Sequence, residues 1–377
     1  MARWAQLRWT LAASLALAGA SSAAQGVYEP PCPGVSGAGV PPARLGASQP
    51  HLILDEDFPD PYVARFGGST FAYATGVAGM NVQLVRSSGL TGWSKPVEVL
   101  PAAGLPRWVD RKQPQVWAPE VYRIAGRYVL YFNARHASLQ RTETPPDGPR
   151  VHQRQCVGAA IADTPAGPFR GIDAPLVCAE FAEGAIDANV LADGGQLYLY
   201  FKQDSNCCSE RSAIHVVGLS SDGLATVGPP VQLLANMDSP GKQDDWEWRV
   251  VEAPTMVKRD GHYFLFYSGN FFGNKNYAVA YLKCASPRGP CDDPGENPIL
   301  WSHKETELLG PGHQAVLDLD GRSYVFFHGW NRDPDGRLTD AHKRCLYVSR
   351  VHWRPDPRDR GWMPVIAGGE PKVMPED

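Results

Sequence analysis

The stretch Trp117-Ala-Pro-Glu-Val-Tyr-Arg-Ile-Ala-Gly-Arg-Tyr-Val-Leu-Tyr-Phe132 decides the fold. A short strand-like run leads into a Gly-containing turn and out through a second run rich in aromatics, which is a hairpin signal. Four other segments share the layout. They are Asp60-Pro-Tyr-Val-Ala-Arg-Phe-Gly-Gly-Ser-Thr-Phe-Ala-Tyr-Ala74, Asp187-Ala-Asn-Val-Leu-Ala-Asp-Gly-Gly-Gln-Leu-Tyr-Leu-Tyr-Phe201, Glu252-Ala-Pro-Thr-Met-Val-Lys-Arg-Asp-Gly-His-Tyr-Phe-Leu-Phe-Tyr267 and His313-Gln-Ala-Val-Leu-Asp-Leu-Asp-Gly-Arg-Ser-Tyr-Val-Phe-Phe327. Their starts at 60, 117, 187, 252 and 313 are 57, 70, 65 and 61 residues apart. A repeat of this length means an array of similar units rather than unrelated domains.

Between the hairpins lie further strand candidates at 82–86, 157–162, 213–219, 277–282 and 346–351, followed by polar turns that often lead to Trp or Phe, as at Trp93, Phe169 and Trp362. Four strands per repeat and five repeats predict an all-β fold, a five-bladed β-propeller. A pair of β-sandwich domains would share neither the long period nor the motif order. Blades buried on both faces explain why the strands read as continuous apolar runs instead of alternating ones. Ring closure must hide the first and last edges, and the expectation is that the strands of residues 62–74 share a blade with C-terminal strands.

Composition agrees. Gly 38 and Pro 34 together make 72 of 377 residues, roughly 19% against about 12% in average chains, so turns are frequent and long helices few. Hydrophobic residues at 43% and charged residues at 20% exclude global disorder. A formal charge of -4 offers neither a basic footprint for nucleic acid nor a polybasic membrane signal, and points to a neutral ligand. No heptad or exposed edge signal suggests self-assembly, so a monomer is expected.

The first 24 residues read as a secretory signal: Arg3 and Arg8, an apolar stretch over residues 11–20, then Ser22-Ala-Ala24 as the cleavage site. Its apolar part falls short of the roughly 20 residues of a bilayer span. Residues 25–50, with Pro30, Pro31, Pro33, Pro41 and Pro42, read as an extended leader, and residues 51–377 as the propeller. Export makes the eight cysteines candidates for disulfides rather than zinc ligands, since no CxxC pair occurs. Cys284 and Cys291 bracket a turn-rich loop and are expected to pair. Adjacent Cys207 and Cys208 are expected to reach different partners.

In this frame the first residue of each hairpin faces the central axis. Asp60, Asp187 and Glu252 therefore converge from three blades, whereas a single buried acid would more often cap a turn or pair with a lysine. Three like charges together raise one another's pKa, which costs stability unless they do proton chemistry.

Phe58-Pro-Asp-Pro-Tyr62, Trp117-Ala-Pro-Glu120, Ala185-Ile-Asp187, Val251-Glu-Ala-Pro254 and Gly310-Pro-Gly-His313, in this order, resemble the blade motifs of glycoside hydrolase family 43 over roughly residues 50–370. The resemblance implies a secreted five-bladed propeller that cleaves arabinose- and xylose-containing plant polysaccharides with inversion. By position, Asp60 resembles the general base, Glu252 the general acid, and Asp187 the acid that orients Glu252 and modulates its pKa; a third acid near Glu252 is expected to keep it protonated near neutral pH. An inverting site needs its two carboxyls about 6.5–9.5 Å apart, a gap that a narrow axial channel can supply. A bell-shaped pH profile is expected.

The resemblance also implies that Arg344 contacts substrate, with a surface salt bridge as the alternative. His313 sits where some members hold calcium or a water cluster; a histidine hydrogen-bonded in the channel without metal is the other reading. No cofactor is otherwise required. Trp117 is either a sugar platform or channel packing, and the stretch 244–249 either lines subsites or is a solvated loop. Cys156 and Cys178 resemble a bridged strand pair of arabinan-directed members. The chain shows no C-terminal β-sandwich of the kind many family xylosidases append, which favours an α-L-arabinofuranosidase or arabinanase over a β-xylosidase. A non-catalytic sugar-binding propeller has no need for three converging acids. The fructan-cleaving propellers carry Asn-Asp-Pro-Asn where this chain has Phe58-Pro-Asp-Pro61.

Overall fold

The computed structural model describes residue 32, residues 35–36 and residues 44–369, apart from 78, 144–147, 179, 182, 206–211, 237–245, 303–307, 331–342 and 360. The proposed signal segment, Cys207, Cys208, Asp244 and Asp245 lie outside the described residues. Five antiparallel sheets form five blades. The first holds Tyr62–Phe66, Ser69–Thr75, Val82–Ser87 and Val97–Glu98; the second Trp117–Ile124, Arg127–Glu143, Arg150–Ala162 and Arg170–Gly171. The third holds Ala185–Asp193, Gln196–Gln203, Ala213–Leu219 and Thr226–Ala235; the fourth Val251–Arg259, His262–Gly269, Ala278–Cys284 and Cys291–Asp292. The fifth is built on Gly312–Leu319, Arg322–Trp330 and Arg344–Pro355. The first strand of each blade packs against those of its neighbours, so these five strands line the axis.

The buried side chains fall into five clusters, one at each seam between adjacent blades. Alternation along the second strands explains this. In the second blade, Leu130 and Phe132 face the first blade while Val129 and Tyr131 face the third. Both faces of each strand are therefore apolar, and no blade buries its faces alone.

Ring closure differs from the expectation. The strands of residues 62–75 form their own complete blade. The fifth blade is completed instead by His51–Leu54, antiparallel to Arg344–Pro355 through Leu52 opposite Tyr347 and His51 opposite Val348. Trp362–Ile366 pairs with the far half of the same strand, Ile366 opposite Val351. A four-residue strand is too short to stand out in the sequence, but it covers an otherwise open edge. Val35–Ser36 adds to His51–Leu54 in parallel, and Cys32 is bonded to Cys345, 313 residues away. Leu45 is fully buried in the seam between the fifth and first blades, so part of the leader belongs to the core.

Cys284–Cys291 and Cys156–Cys178 are disulfides, as expected. The first joins two residues directly opposite in the ladder of the fourth blade. A long β-hairpin was not foreseen: Arg127–Glu143 and Arg150–Ala162 run well past their blade, with a bulge between Arg135 and Gln140.

Candidate active site

Four of the five innermost strands break register near their start, between Trp117 and Glu120, Ile186 and Asn189, Glu252 and Thr255, and Gly312 and Ala315. At each break one residue takes a left-handed backbone, and the first blade has one just before its strand: Asp60 (φ 54°), Ala118 (46°), Asp187 (58°), Ala253 (51°) and His313 (51°). A left-handed residue costs energy unless its surroundings hold it, and such residues gather at functional sites. This shifts the equivalence read from the sequence. Asp60, Asp187 and His313 match one another, whereas Trp117 and Glu252 stand one residue earlier, at the position of Ile186 and Gly312. The extra residue of a bulge leaves no mark in a simple alignment of hairpins.

The amide of each left-handed residue has a specific acceptor. Ala118 N donates to Thr75 Oγ1 (2.9 Å), Asp187 N to Asn133 Oδ1 (3.4 Å), His313 N to Ser268 Oγ (2.9 Å) and Asp60 N to His328 Nδ1 (3.2 Å). Each acceptor lies on the second strand of the preceding blade. The fourth blade is the exception. The equivalent residue before it is Lys202, which has no acceptor atom. There the Ala253 amide donates to Asp187 Oδ2 (3.0 Å), and Lys202 turns its ammonium to Glu252 Oε2 (2.7 Å).

The three predicted acids are brought together. Asp60 Oδ1 takes a hydrogen bond from Arg344 Nη1 (2.9 Å) with His313 Nδ1 at 3.4 Å, and Asp60 Oδ2 accepts from Thr75 Oγ1 (2.7 Å). Burial opposes its charge, but Arg344, His313 and the Thr75 bond outweigh it and hold the carboxyl far below the usual range. Glu252 stands opposite Ser268, the residue that receives the His313 amide, and Asp187 binds the amide next to Glu252. The His313 imidazole also acts electrostatically on Asp60, Asp187 and Glu252 alike. Asp187, His313, Glu120, Thr255 and Gln314 line one narrow axial cavity.

The proton inventory differs from the expectation that Asp187 keeps Glu252 protonated. Burial pushes Glu252 up, but the Lys202 ammonium and hydrogen bonds from Lys202 and Tyr277 (2.7 Å to Oε1) prevail and hold it below the usual range. Asp187 goes the other way: burial, with Glu252 adding to it, raises it to about 6. Below about pH 6 the proton held by this pair therefore resides on Asp187. Beside them Glu120, which accepts from Tyr122 and Asn189, is pushed up to about 8 by burial.

Arg344 is no surface salt bridge. Its guanidinium is largely buried against Asp60 and lies over the rings of Phe272 (5.2 Å) and Trp330 (5.5 Å). Trp117 is partly exposed on the wall of a cavity of about 400 Å³ beside the axis. In the stretch 244–249, Trp246 packs on Tyr267 and Glu247 accepts from the Tyr267 hydroxyl, while Trp248 is exposed. Sequence reasoning passed over Lys202, Tyr277, Thr75 and His328. Thr75, Asn133, Lys202, Ser268 and His328 close successive apolar second strands with a polar residue, and that recurrence was the available signal. His328 accepts at Nδ1, so its proton sits on Nε2, and burial keeps it neutral.

A calcium ion takes six to eight oxygen ligands. Among the described residues, Asp60 is the carboxylate within reach of His313, and its oxygens are already engaged by Arg344 and Thr75. The donor set at His313 does not supply a calcium shell, and no step is derived through a metal.

The chain matches the model of Glycosyl hydrolases family 43 over residues 50–359. It is 26% identical to the extracellular exo-alpha-(1->5)-L-arabinofuranosidase of Streptomyces chartreusis, over 71% of this chain and 78% of that enzyme. It is also 26% identical to alpha-L-arabinofuranosidase 43 of Humicola insolens, over 68% of this chain but only 52% of the longer fungal enzyme, so it spans about half the length of that relative. Among solved structures it is similar to a thermostable family-43 glycoside hydrolase, with a TM-score of 0.67 and 26% identity over 85% of this chain and 95% of that one. With five blades, the acids gathered at the axis and a family match over most of its length, this chain belongs to glycoside hydrolase family 43.

Proposed function

We propose that the chain is an exported inverting glycoside hydrolase that releases arabinose units from plant polysaccharides, as an α-L-arabinofuranosidase or arabinanase. The observation that carries this reading is the gathering of Asp60, Asp187 and Glu252 around His313 at one end of the axis. Asp60, ionised over the whole working range, is available to orient the attacking water and to take up its proton as the sugar bond breaks. Glu252 is the general acid. Its proton comes from the Asp187–Glu252 pair, which retains one up to about pH 6. Arg344 and Trp117 contact the sugar, and Lys202 and Tyr277 fix the orientation of the acid. Export is supported by three disulfides among the described residues, which fit an oxidising compartment, and by the name of the Streptomyces relative.

The test is to incubate residues 25–377 with linear arabinan, branched arabinan, arabinoxylan and xylo-oligosaccharides and to resolve the products by chromatography, with Glu252→Gln as control. Arabinose from branched substrates, or short oligomers from linear arabinan, is the expected result, with the control at least a hundredfold slower. Full activity of Glu252→Gln on a substrate with a poor leaving group removes the assignment.

A further inference from the structure

The cavity of about 400 Å³ next to the acids has an unexpected lining for a chain of net charge -4. Three arginines, Arg135, Arg141 and Arg154, contributed by the long hairpin of the second blade, stand on its wall with two acids, Glu183 and Asp204, the latter acting on the buried Lys202. Arg141 is paired with Glu183 (3.3 Å), which also accepts from Gln203. Arg135 is held by neutral amides alone, Nη1 on Gln113 and Nη2 on Gln115. Among the described residues, no carboxylate pairs with Arg135 or Arg154, and the Nε of each is buried without a hydrogen-bond partner. With no carboxylate beside them, the Arg135 and Arg154 guanidinium groups keep donors for a ligand acceptor, and a charge-assisted bond to one is worth more than a neutral bond.

The cavity borders the acid centre, since Ile186 on its wall precedes Asp187 in the chain. Trp117 and Ile186, on its wall, occupy the axial position that Glu252 holds in the fourth blade. Phe272, also on the wall, lies under the Arg344 guanidinium that binds Asp60. A sugar chain cleaved at the acids therefore has a neighbouring residue in this cavity, with Trp117 and Phe272 to pack on its apolar faces and glutamines for its hydroxyls.

We infer that the cavity is a subsite for a carboxylate-bearing sugar, a uronic acid residue near the scissile bond, held by Arg135 and Arg154. This deepens the hydrolase reading and rests on it for the position of the scissile bond. It also departs from the neutral ligand that the overall charge implies, because a local guanidinium pair outweighs a diffuse net charge at short range. A planar guanidinium matches a carboxylate with two parallel hydrogen bonds, which a neutral hydroxymethyl group cannot reproduce.

Two experiments test it. The first compares kcat/KM on arabinose-substituted glucuronoxylo-oligosaccharides with the same oligosaccharides after reduction of their carboxyls to alcohols. The wild type is expected to prefer the acidic form about tenfold or more, as for a charge-assisted pair. In Arg135→Gln/Arg154→Gln that ratio falls towards one, with thermal unfolding confirming the fold. Equal rates on the two forms, or an equal proportional loss on both in the variant, overturn the subsite. The second titrates the Glu252→Gln protein with the acidic and the reduced oligosaccharides by calorimetry, which needs no turnover. Preferential binding of the acidic form alongside an inactive wild type leaves the subsite standing and rejects the hydrolase reading; equal binding of the two forms rejects the subsite itself.

Discussion

Replacing Lys202 by methionine isolates the charge beside the proposed acid. The Lys202 side chain is fully buried and that of Glu252 is 7% exposed, with 2.7 Å between Nζ and Oε2. Methionine keeps the length of the stem, so the loss is electrostatic rather than a cavity. Removing one partner of a buried pair costs about 3–5 kcal/mol, because the remaining charge is left desolvated. The sign with pH follows from the two carboxyl states. In the wild type the folded pKa of Glu252 is depressed below its usual 4.5, so the pair stabilises above that value and is lost as pH falls through the folded pKa. In the variant, burial is opposed only by the Tyr277 bond and the His313 imidazole and the folded pKa rises, so the variant loses stability as pH climbs past about 4.5. Both effects widen the gap with pH. Urea unfolding followed by tryptophan fluorescence is expected to show a destabilisation of about 3–5 kcal/mol at pH 8. At pH 4 it shrinks towards the ~1 kcal/mol of one hydrogen bond. The alkaline limb of kcat/KM moves to higher pH in the same variant. An equal loss at both pH values, or less than about 1 kcal/mol at pH 8, would falsify the ion-pair argument.

Other measurements bear on the rest of the site. The pH profile of kcat/KM should fall on the alkaline side near 6, where the Asp187–Glu252 pair gives up its last proton, and in Asp187→Asn that limb should shift; a limb fixed at the wild-type value means another group sets it. Thr75→Val removes a donor to Asp60 and the acceptor of the buried Ala118 amide, so denaturant midpoints should report a loss of about 1–3 kcal/mol together with reduced turnover. Replacing both Cys32 and Cys345 by serine opens a clasp between residues 313 apart, and unfolding experiments should register about 3–5 kcal/mol of lost stability; an unchanged midpoint would mean that strand pairing alone closes the ring.

The propeller was legible because every blade repeats its strongest local signal, a turn entering an aromatic second strand such as Leu197–Phe201 or Tyr324–Phe327. The closing strand was not. His51–Leu54 is four residues long and is a strand only because Arg344–Pro355, nearly 300 residues away, offers it an edge. Among the site residues, Asp60 and Asp187 stand at matched positions that periodicity exposes. Glu252 is offset by one, since the residue that bends the chain in the fourth blade is Ala253. Lys202 looked like the end of an apolar strand, and nothing local shows that its ammonium crosses to the next blade. The charge balance around Glu252 was equally hidden, because it depends on Lys202, Tyr277 and His313, which come from three distant parts of the chain.

Four of the five amide contacts at the axis run in one direction around the ring, the left-handed residue of one blade resting on the second strand of the blade before it. The unit of exchange in this architecture is therefore not the blade. A chimaera that imports a complete foreign blade takes its bulge away from the side chain that holds it and presents the following bulge with a stranger. A segment cut from one second strand to the next, such as from Asn133 to just before Lys202, carries the Asp187 turn together with its own support. Staggered seams of this kind are where recombination between relatives should leave the axial acids in working order.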